Sequence, residues 1–294
     1  LQLALGAMYA GIPYCPVSPA YSLLSQDFAK LRHVCDLLQP GLVFVSDAGA
    51  YQRAIDAVLP PETPLICVRG QVPGRRQASF ASLLAEPGAA EADAAFAATG
   101  PDSIAKFLFT SGSTKLPKAV ITTQRMLCAN QQMLLQTFPV FGEEPPVLVD
   151  WLPWNHTFGG SHNVGIVLYN GGSFYLDDGK PTAQGFAETL RNLKEISPTA
   201  YLTVPKGWEE LVNALEQDAE LRECFFKRMS LFFFAAAGLS QSVWDRLDRV
   251  AEQHCGERIR MMAGLGMTEA APSCTFTTGP VSYTHLRAHE TRED

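Results

Sequence analysis

Short apolar runs alternate with amphipathic helical patterns along this chain. A helical pattern over residues 28–38 precedes the apolar run 42–46, and a helix around 51–58 precedes the run 65–68. Strands separated by helices join through right-handed crossovers and build a mainly parallel sheet. The pattern predicts an α/β fold with layered, mainly parallel sheets and flanking helices, and such folds place their sites at strand ends.

The alternation continues to the end of the chain and suggests two parts. Residues 86–103, rich in Ala, Gly, Pro and acidic residues, are expected to form a loop between a first α/β part, 1–100, and a second, 101–281. At the beginning of the chain we expect a short buried helix over 3–9 and a buried strand over 12–17. In the second part, strands are predicted at 104–109, 119–122, 147–151, 173–176, 200–204, 231–235 and 260–263, and helices at 125–137, 186–196, 208–216 and 242–255.

Composition excludes several classes of protein. Charged residues make up 18% of the 294 residues, the net charge is −7, and no dense Lys/Arg run is present, so nucleic acid is not an expected partner. The first 17 residues carry no charge, but Gly11, Pro13 and Pro16 interrupt them, so neither a signal peptide nor a membrane span is expected. Seven widely spaced cysteines without a Cys-x-x-Cys pair favour a reducing, cytoplasmic location.

A polar loop follows the apolar strand that is predicted to end near Phe109. The segment Thr110–Lys118 holds four hydroxyls, one glycine and two lysines in nine positions. Hydroxyl and backbone N–H groups suit phosphate oxygens, and lysine adds a mobile positive charge. No Gly-Lys-Ser/Thr ends the segment, so it is not a Walker loop. From these residues alone, a solvated Ser/Thr turn remains the alternative interpretation.

Two further motifs follow, Leu152–Gly159 with the sequence LPWNHTFG and Gly264–Glu269 with the sequence GLGMTE, and the small residues of Ala235–Leu239 lie between them. Together with the Ser/Thr loop, this order resembles the adenylate-forming superfamily of acyl-CoA synthetases, luciferases and the adenylation domains of peptide synthetases. The resemblance covers about residues 1–280. Lys115, Ala119 and the form of the second motif look most similar to feruloyl-CoA synthases.

The resemblance implies an activity and a set of site residues. A carboxylic acid, expected to be aromatic, would react with ATP to give an acyl-adenylate and pyrophosphate, and the acyl group would pass to coenzyme A. Lys118 would hold the β- and γ-phosphates, Thr268 the α-phosphate, and Glu269 would ligate Mg²⁺, while His156, before a Phe-Gly-Gly segment expected to be flexible, would orient the acyl carboxylate. The other nucleotide-binding residues implied are Thr110, Ser111, Gly112, Ser113, Thr114, Ala236, Ala237, Gly238, Gly264, Leu265, Gly266 and Met267.

Other conspicuous residues receive structural interpretations. His162 lacks a third ligand at zinc spacing and is expected to be structural, and Gly264-x-Gly266 fails as a dinucleotide fingerprint because position 269 is Glu. The phenylalanine runs 225–226 and 232–234 are expected in the core. The acyl pocket is expected to comprise Trp154, Phe158, Val204 and residues 236–238.

The sequence also departs from the family pattern. Relatives usually carry an aromatic residue where Leu265 stands, and the downstream ribose-binding aspartate, the hinge and the C-terminal domain with its catalytic lysine are missing. Residues 282–294 resemble translated sequencing adaptor, and the beginning looks cut away, so we expect a truncated fragment of impaired activity. The alternatives are an adenylation domain that loads a carrier protein and an inactive nucleotide-binding module. A serine hydrolase lacks support because no Gly-x-Ser-x-Gly elbow occurs.

Overall fold

The computed structural model describes residues 1–86, 88, 90–110 and 116–277. The chain divides into two compact units, Leu1–Gln124 and the part that begins at Arg125. The boundary predicted after residue 100 falls inside the first unit, because the strands at 104–110 and 118–123 pair with each other and the first of them bridges to Tyr14. The predicted tail, 282–294, lies outside the described residues.

The first unit contains a three-stranded parallel sheet and an antiparallel pair of strands. The sheet has the order β1-β2-β3, with Val43 opposite Leu65 and Leu65 opposite Gln77, and β4 and β5 form the pair. Val45 and Ile55 belong to the core of this sheet. Its elements are α1 (Gln2–Tyr9), α2 (Ala20–Leu23), α3 (Ala29–Leu38), β1 (Val43–Asp47), α4 (Ala48–Val58), β2 (Leu65–Arg69), β3 (Gln77–Ser79), α5 (Phe80–Ala85), α6 (Ala90–Ala98), β4 (Ile104–Thr110) and β5 (Lys118–Thr123).

Three predictions for this unit were wrong. The helix expected to be buried over 3–9 forms as α1, but none of its residues is buried. The strand expected over 12–17 is reduced to a single parallel bridge between Tyr14 and Lys106 of β4. The loop expected over 86–103 contains α6, because its many alanines favour helix and Glu91 and Asp93 in its first turn complement the helix dipole. The ring of Tyr9 on α1 stacks on Phe96 of α6 at 4.5 Å, and the Tyr9 hydroxyl donates to Asp93 at 2.7 Å. Tertiary contacts therefore stabilise α6.

The second unit is a layered α/β arrangement. Strands β8, β9 and β10 run parallel and β11 is antiparallel at one edge, while β6 and β7 form a parallel pair. The Thr199 amide, directly before β8, donates to Val147 O of β6 at 3.0 Å. The elements are α7 (Gln124–Thr137), α8 (Val140–Glu143), β6 (Val147–Asp150), α9 (Val164–Tyr169), β7 (Ser173–Leu176), α10 (Phe186–Glu195), β8 (Ala200–Thr203), α11 (Pro205–Leu215), α12 (Ala219–Phe226), β9 (Leu231–Ala235), α13 (Gln241–Cys255), β10 (Arg260–Gly266) and β11 (Ser273–Phe276).

Strand β9 shows why its sheet is covered on both faces. Side chains alternate across a strand, and here both sets are apolar: Phe232 and Phe234 belong to one hydrophobic cluster, Leu231 and Phe233 to the other. Trp208 of α11 is fully buried in the first cluster, and its Nε1–H donates to Phe233 O at 3.1 Å. The phenylalanine runs are core, as predicted, and the predicted α/β fold class is confirmed.

Candidate functional site

The carboxyl ends of parallel strands place two of the sequence motifs side by side. Strands β9 and β10 pair in register, with Ala235 opposite Gly264. Because the strands are parallel, the segments that follow them, 236–239 and 265–269, leave the same edge of the sheet. The structure therefore brings together the small-residue segment and the Gly264–Glu269 segment, which are 29 positions apart in the strand register.

The segment after β9 has an open surface and an unusual backbone. Ala236, Ala237 and Gly238 are exposed, whereas Leu239 is buried and fixes the end of the segment. Ala236 has φ +77°, in the left-handed region, which costs a residue with a Cβ about 1–2 kcal/mol. Such conformations persist where surrounding structure enforces them and often mark ligand sites. The small side chains leave room for a flat group against this backbone.

The segment after β10 turns sharply toward β11. The ladder shifts register between Leu265 and Gly266. A Cβ at 266 would lie 2.6 Å from Pro272 O, so only glycine permits this approach. The Met267 amide donates to Pro272 O at 2.9 Å and closes the turn. Glu269 is exposed on the 3-10 helix Thr268–Ala270, and its carboxylate is accessible to a ligand.

The side chain of Asn130, on α7, forms hydrogen bonds to the backbone of this turn. It is 3% exposed, and its Nδ2 donates to Ala270 O at 3.2 Å and to Ser273 O at 3.1 Å. Its Oδ1 accepts from the Ser273 amide at 3.3 Å. A side-chain amide can donate two hydrogen bonds and accept two. Asn130 makes three of these four to the backbone of Ala270 and Ser273. The turn is fixed by a side chain that no motif contains.

The loop that carries His156 folds back on a π-helical turn, Phe158–Asn163, which continues into α9. A Cβ at Gly159 would lie 2.7 Å from Leu152 O, and one at Gly160 would lie 2.9 Å from the carbonyl carbon of Trp154. Both glycines are buried. The expectation of a flexible Phe-Gly-Gly segment was wrong, because these glycines allow the loop backbone to pack against the turn.

Backbone contacts fix the orientation and tautomer of His156. The Phe158 amide donates to His156 Nδ1 at 3.3 Å, so the hydrogen of the neutral ring lies on Nε2. The His156 amide donates to Pro153 O at 3.1 Å, which closes the loop at its other side. Partial burial lowers the pKa of the imidazole. A neutral ring with Nε2–H can donate one hydrogen bond to a carboxylate oxygen.

A buried polar network lies between the ends of β6 and β8. Asp150 accepts from the Leu152 amide at 2.9 Å and from Asn163 Nδ2 at 3.0 Å, and Asn163 Nδ2 also lies 3.4 Å from Leu202 O. His162 Nδ1 lies 2.9 Å from Asn163 Oδ1, so the ring nitrogen donates. Burial raises the pKa of Asp150 to about 7 and lowers that of His162 to about 4.

Gln131, next to Asn130 on α7, holds the π-helical turn. Its side chain is 4% exposed, and its Nε2 lies 3.2 Å from Ser161 O and 3.4 Å from His162 O. Residue 165 must be glycine for this arrangement, since a Cβ there would lie 2.7 Å from Gln131 Cδ. A π-helical turn displaces its carbonyls from the regular helical pattern, and Gln131 satisfies two of them.

The Ser/Thr loop belongs to the first unit. Thr110 and Lys118 face each other at the ends of β4 and β5, so they mark the base of the loop. Lys118 is exposed, and His33 of α3 donates from Nε2 to Pro117 O at 2.9 Å, which ties the residue before Lys118 to α3. The predicted phosphate-binding residues Ser111, Gly112, Ser113 and Thr114 lie outside the described residues.

The residues proposed for the acyl pocket differ in exposure. Trp154 and Val204 are half-buried, whereas Phe158 is 5% exposed and packs edge-to-face on Phe233 at 5.8 Å. His162, expected to be structural, stacks on the same Phe233 ring at 5.2 Å. Phe158 and His162 are therefore core residues that support the His156 loop.

Within the described ranges, no three His, Cys, Asp or Glu side chains form a group that could hold a metal ion. Mg²⁺ often binds one or two carboxylates together with substrate phosphates and water, so Glu269 fits as its protein ligand. None of the helices in the described part is long and apolar enough to cross a bilayer. All seven cysteines are free thiols.

Sequence analysis did not find Asn130, Gln131, Asp150 or Asn163. Their roles depend on tertiary contacts that no local pattern reveals. One signal was available for the first two, because adjacent polar residues fall among the buried positions of α7, where an amphipathic helix would carry apolar side chains.

This chain is similar in sequence to known proteins. The sequence profile of the family described as AMP-binding enzyme matches residues 1–291, and so extends into the stretch expected to be foreign. Long chain acyl-CoA synthetase 6, peroxisomal, from Arabidopsis thaliana is 27% identical over 176 residues, which make up 55% of this chain and 23% of that protein.

Solved structures share the fold. A malonyl-CoA ligase in a ternary product complex with methylmalonyl-CoA and AMP is 24% identical with a TM-score of 0.61, over 89% of this chain and 48% of the other. The adenylation domain of a keto acid-selecting NRPS module, bound to keto acyl adenylate, is 18% identical with a TM-score of 0.68, over 94% and 47%. The chain spans between about a quarter and a half of the length of these proteins. Because the family profile covers nearly all of its residues, this chain belongs to the AMP-binding enzyme family.

Proposed function

We propose that this chain supplies the ATP-binding and acid-binding part of an AMP-forming acid–CoA ligase. A carboxylate oxygen attacks the α-phosphorus of ATP, the bond to the β-phosphate bridging oxygen breaks, and pyrophosphate leaves. The thiol of coenzyme A then attacks the acyl carbon, and AMP leaves. The observation that carries the proposal is the sheet edge where Ala235 pairs with Gly264, because it joins the two segments expected to contact the nucleotide.

Charge stabilisation is the main task of the nucleotide segments. Negative charge builds up around the α-phosphorus and on the departing pyrophosphate, and fixed donors and cations lower the barrier most when they are already in place. Thr268 would donate to the α-phosphate and Lys118 would neutralise the β- and γ-phosphates. Glu269 would hold Mg²⁺, which neutralises phosphate charge when bound.

His156 would orient the acid. Its Nδ1 is occupied by the Phe158 amide, so Nε2–H is the group left to donate to a carboxylate oxygen. Such a bond would leave the second carboxylate oxygen free to attack the α-phosphorus. Since the Gly159–Gly160 packing fixes the loop, this donor is placed before the substrate arrives.

We extend the proposal to an aromatic, feruloyl-like acid. The form of residues 153–159 favours it, and half-buried Trp154 and Val204 offer an apolar surface. Leu265, which is 49% exposed, would contact adenine through apolar contact alone. The free thiols suit a reducing compartment such as the cytoplasm.

One observation favours a second candidate, an adenylation domain that loads a carrier protein. The likeness to the NRPS adenylation domain extends over 94% of this chain. Both functions share the adenylation step and differ in the thiol that accepts the acyl group. Product analysis with coenzyme A and with a phosphopantetheinylated carrier protein would separate them.

Two measurements test the proposal. Calorimetric titration of the chain with Mg·ATP should show binding that Lys118→Ala and Glu269→Ala each weaken at least tenfold, whereas Lys30→Ala and Glu257→Ala, which remove exposed charges elsewhere, should not. Exchange of labelled pyrophosphate into ATP should depend on added acid, with ferulate and benzoate tested beside decanoate. Equal heats in all five proteins, or no exchange with any acid, would refute the function.

A further inference from the structure

Two adjacent residues of one helix contact both candidate segments of the second unit. Asn130 contacts the turn that follows Glu269, and Gln131 contacts the π-helical turn that follows His156. Consecutive residues of an α-helix point about 100° apart around its axis, so neighbours can serve two different segments. Both side chains are at least nine-tenths buried.

We infer that Asn130 and Gln131 are positioning residues, Asn130 for the nucleotide and metal segment and Gln131 for the carboxylate-orienting segment. This inference rests on the proposed function. Neither residue would touch substrate, and each would act through the backbone of the segment that it holds.

The contacts of Asn130 support a positioning role more than general packing. All three of its hydrogen bonds go to backbone atoms of residues 270 and 273. The Met267 amide is already bonded to Pro272 O, and the Ala271 amide lies 3.2 Å from Thr268 O. The turn closes on itself through these bonds, and Asn130 decides where the closed turn sits relative to the sheet.

The contacts of Gln131 have a different consequence. Its Nε2 serves two carbonyls, but its Oε1 lacks a hydrogen-bond partner among the residues that the structure describes. A buried acceptor without a partner opposes folding, so an apolar side chain of equal length would remove that penalty. Gln131→Met removes this penalty but also leaves the Ser161 and His162 carbonyls without their donor, so the two effects oppose each other and the midpoint of urea unfolding should fall only slightly.

Hydrogen exchange and nucleotide affinity together test the inference on the full chain. In Asn130→Ala, the amides of Met267, Ala270 and Ala271 should exchange at least tenfold faster, and the dissociation constant of Mg·ATP should rise at least tenfold. In Gln131→Met, the amides of Phe158 and Gly160 should exchange at least tenfold faster, with Mg·ATP affinity within twofold of wild type.

Two additional variants serve as a control and as a substitute for Asn130→Ala. Gln132→Ala removes an exposed amide from the same helix, where its oxygen accepts from the Tyr169 hydroxyl at 2.5 Å, and should change neither segment. If Asn130→Ala does not fold, Asn130→Asp keeps the volume and the acceptor for the Ser273 amide and removes the two donated bonds. Asn130→Asp should give the same changes in amide exchange and Mg·ATP affinity as are expected for Asn130→Ala.

Several results would overturn the inference. Equal loosening of both segments by either variant would show general packing, and a loosened 267–271 turn with unchanged Mg·ATP affinity would show that its position does not matter. Failure of the wild-type chain to bind Mg·ATP would refute the proposed function itself. That failure is recognised from the wild-type titration alone, before any variant is compared.

Discussion

Replacing Gly160 by alanine should displace the loop that carries His156. The new Cβ would lie 2.9 Å from the carbonyl carbon of Trp154, 3.1 Å from its Cα, and closer still to its oxygen. These are backbone atoms, which cannot swing away as the end of a side chain can. We therefore expect the loop to move by several tenths of an ångström.

The size of the effect follows from two opposing contributions. Overpacking of a tight interior costs about 1–3 kcal/mol, and contact with backbone favours the upper part of that range. Alanine in a helical conformation regains about 0.5–1 kcal/mol relative to glycine. The net expectation is a loss of about 1–2 kcal/mol in the free energy of unfolding.

Urea denaturation of the two chains measures this loss. With a slope of about 1–3 kcal/mol per molar urea, the midpoint of the transition of the second unit should fall by roughly 0.3–2 M. Gly6→Ala is the matched control, because Gly6 lies inside α1 and a Cβ there would meet nothing within 4 Å. That variant should stabilise the first unit, to which α1 belongs, by about 0.5–1 kcal/mol and leave the transition of the second unit unchanged.

The two glycines should thus change stability in opposite directions. A Gly160→Ala protein that is as stable as Gly6→Ala, with unchanged exchange of the Phe158 amide, would refute the packing of the loop on the turn. If stability falls while the Phe158 amide keeps its hydrogen bond to His156 Nδ1, the strain lies away from His156.

Three other predictions concern the second unit. Burial raises the pKa of Asp150 to about 7, so the native state holds this proton more tightly than the unfolded chain. The stability from that proton is complete below about pH 4 and is lost toward pH 7, and urea midpoints at pH 5 and 8 should show a fall that Asp150→Asn reduces. Trp208→Phe removes the donor to Phe233 O and should lower the free energy of unfolding by about 1–3 kcal/mol, measured in the same way; no change would contradict the bond. His156→Ala should raise the acid concentration needed for half-maximal pyrophosphate exchange and leave Mg·ATP affinity within twofold; weakened Mg·ATP binding would contradict its assignment to the acid.

The strands of the sheet could be predicted because their sequence and their burial carry the same information. Residues 231–235 are apolar at every position, and the structure buries both faces of that strand. Residues 43–47, 65–69 and 173–176 also match their predicted runs to within a residue or two. These strands agree with the prediction in position but differ in burial, since Leu65 is 1% exposed whereas Tyr175 and Leu176 are 43% and 58% exposed.

The failures occurred where tertiary contacts decided the local structure. Residues 12–17 are apolar enough for a strand, but only Tyr14 pairs with β4. Residues 90–98 form a helix that the loop interpretation did not anticipate, and the stacking of Tyr9 on Phe96 stabilises it. The composition of one segment does not reveal which residues elsewhere in the chain it will contact.

In the candidate site, the motifs can be recognised in the sequence, whereas the residues that support them cannot. His156, Thr268 and Glu269 lie in these motifs, and their roles stay predictions. The residues that fix those motifs could not be predicted, because Asn130 and Asp150 act through backbone groups distant in sequence. A polar residue within a buried helix face remains the sequence signal for such a role.

The segments of the candidate site are rigid through close packing of the backbone. Gly160 lies against Trp154, Gly266 against Pro272, and Ala236 is held in a left-handed conformation. Gly160 and Gly266 accept no Cβ without displacement of a neighbouring backbone, so these glycines are needed for contact with protein as well as for access by ligand. Under the proposed function, donors fixed in this way would need little reorganisation when charge develops at the α-phosphorus, which is the condition under which electrostatic stabilisation is strongest. On that proposal, enlarging either glycine should impair adenylation even where the substituted atom never reaches the substrate.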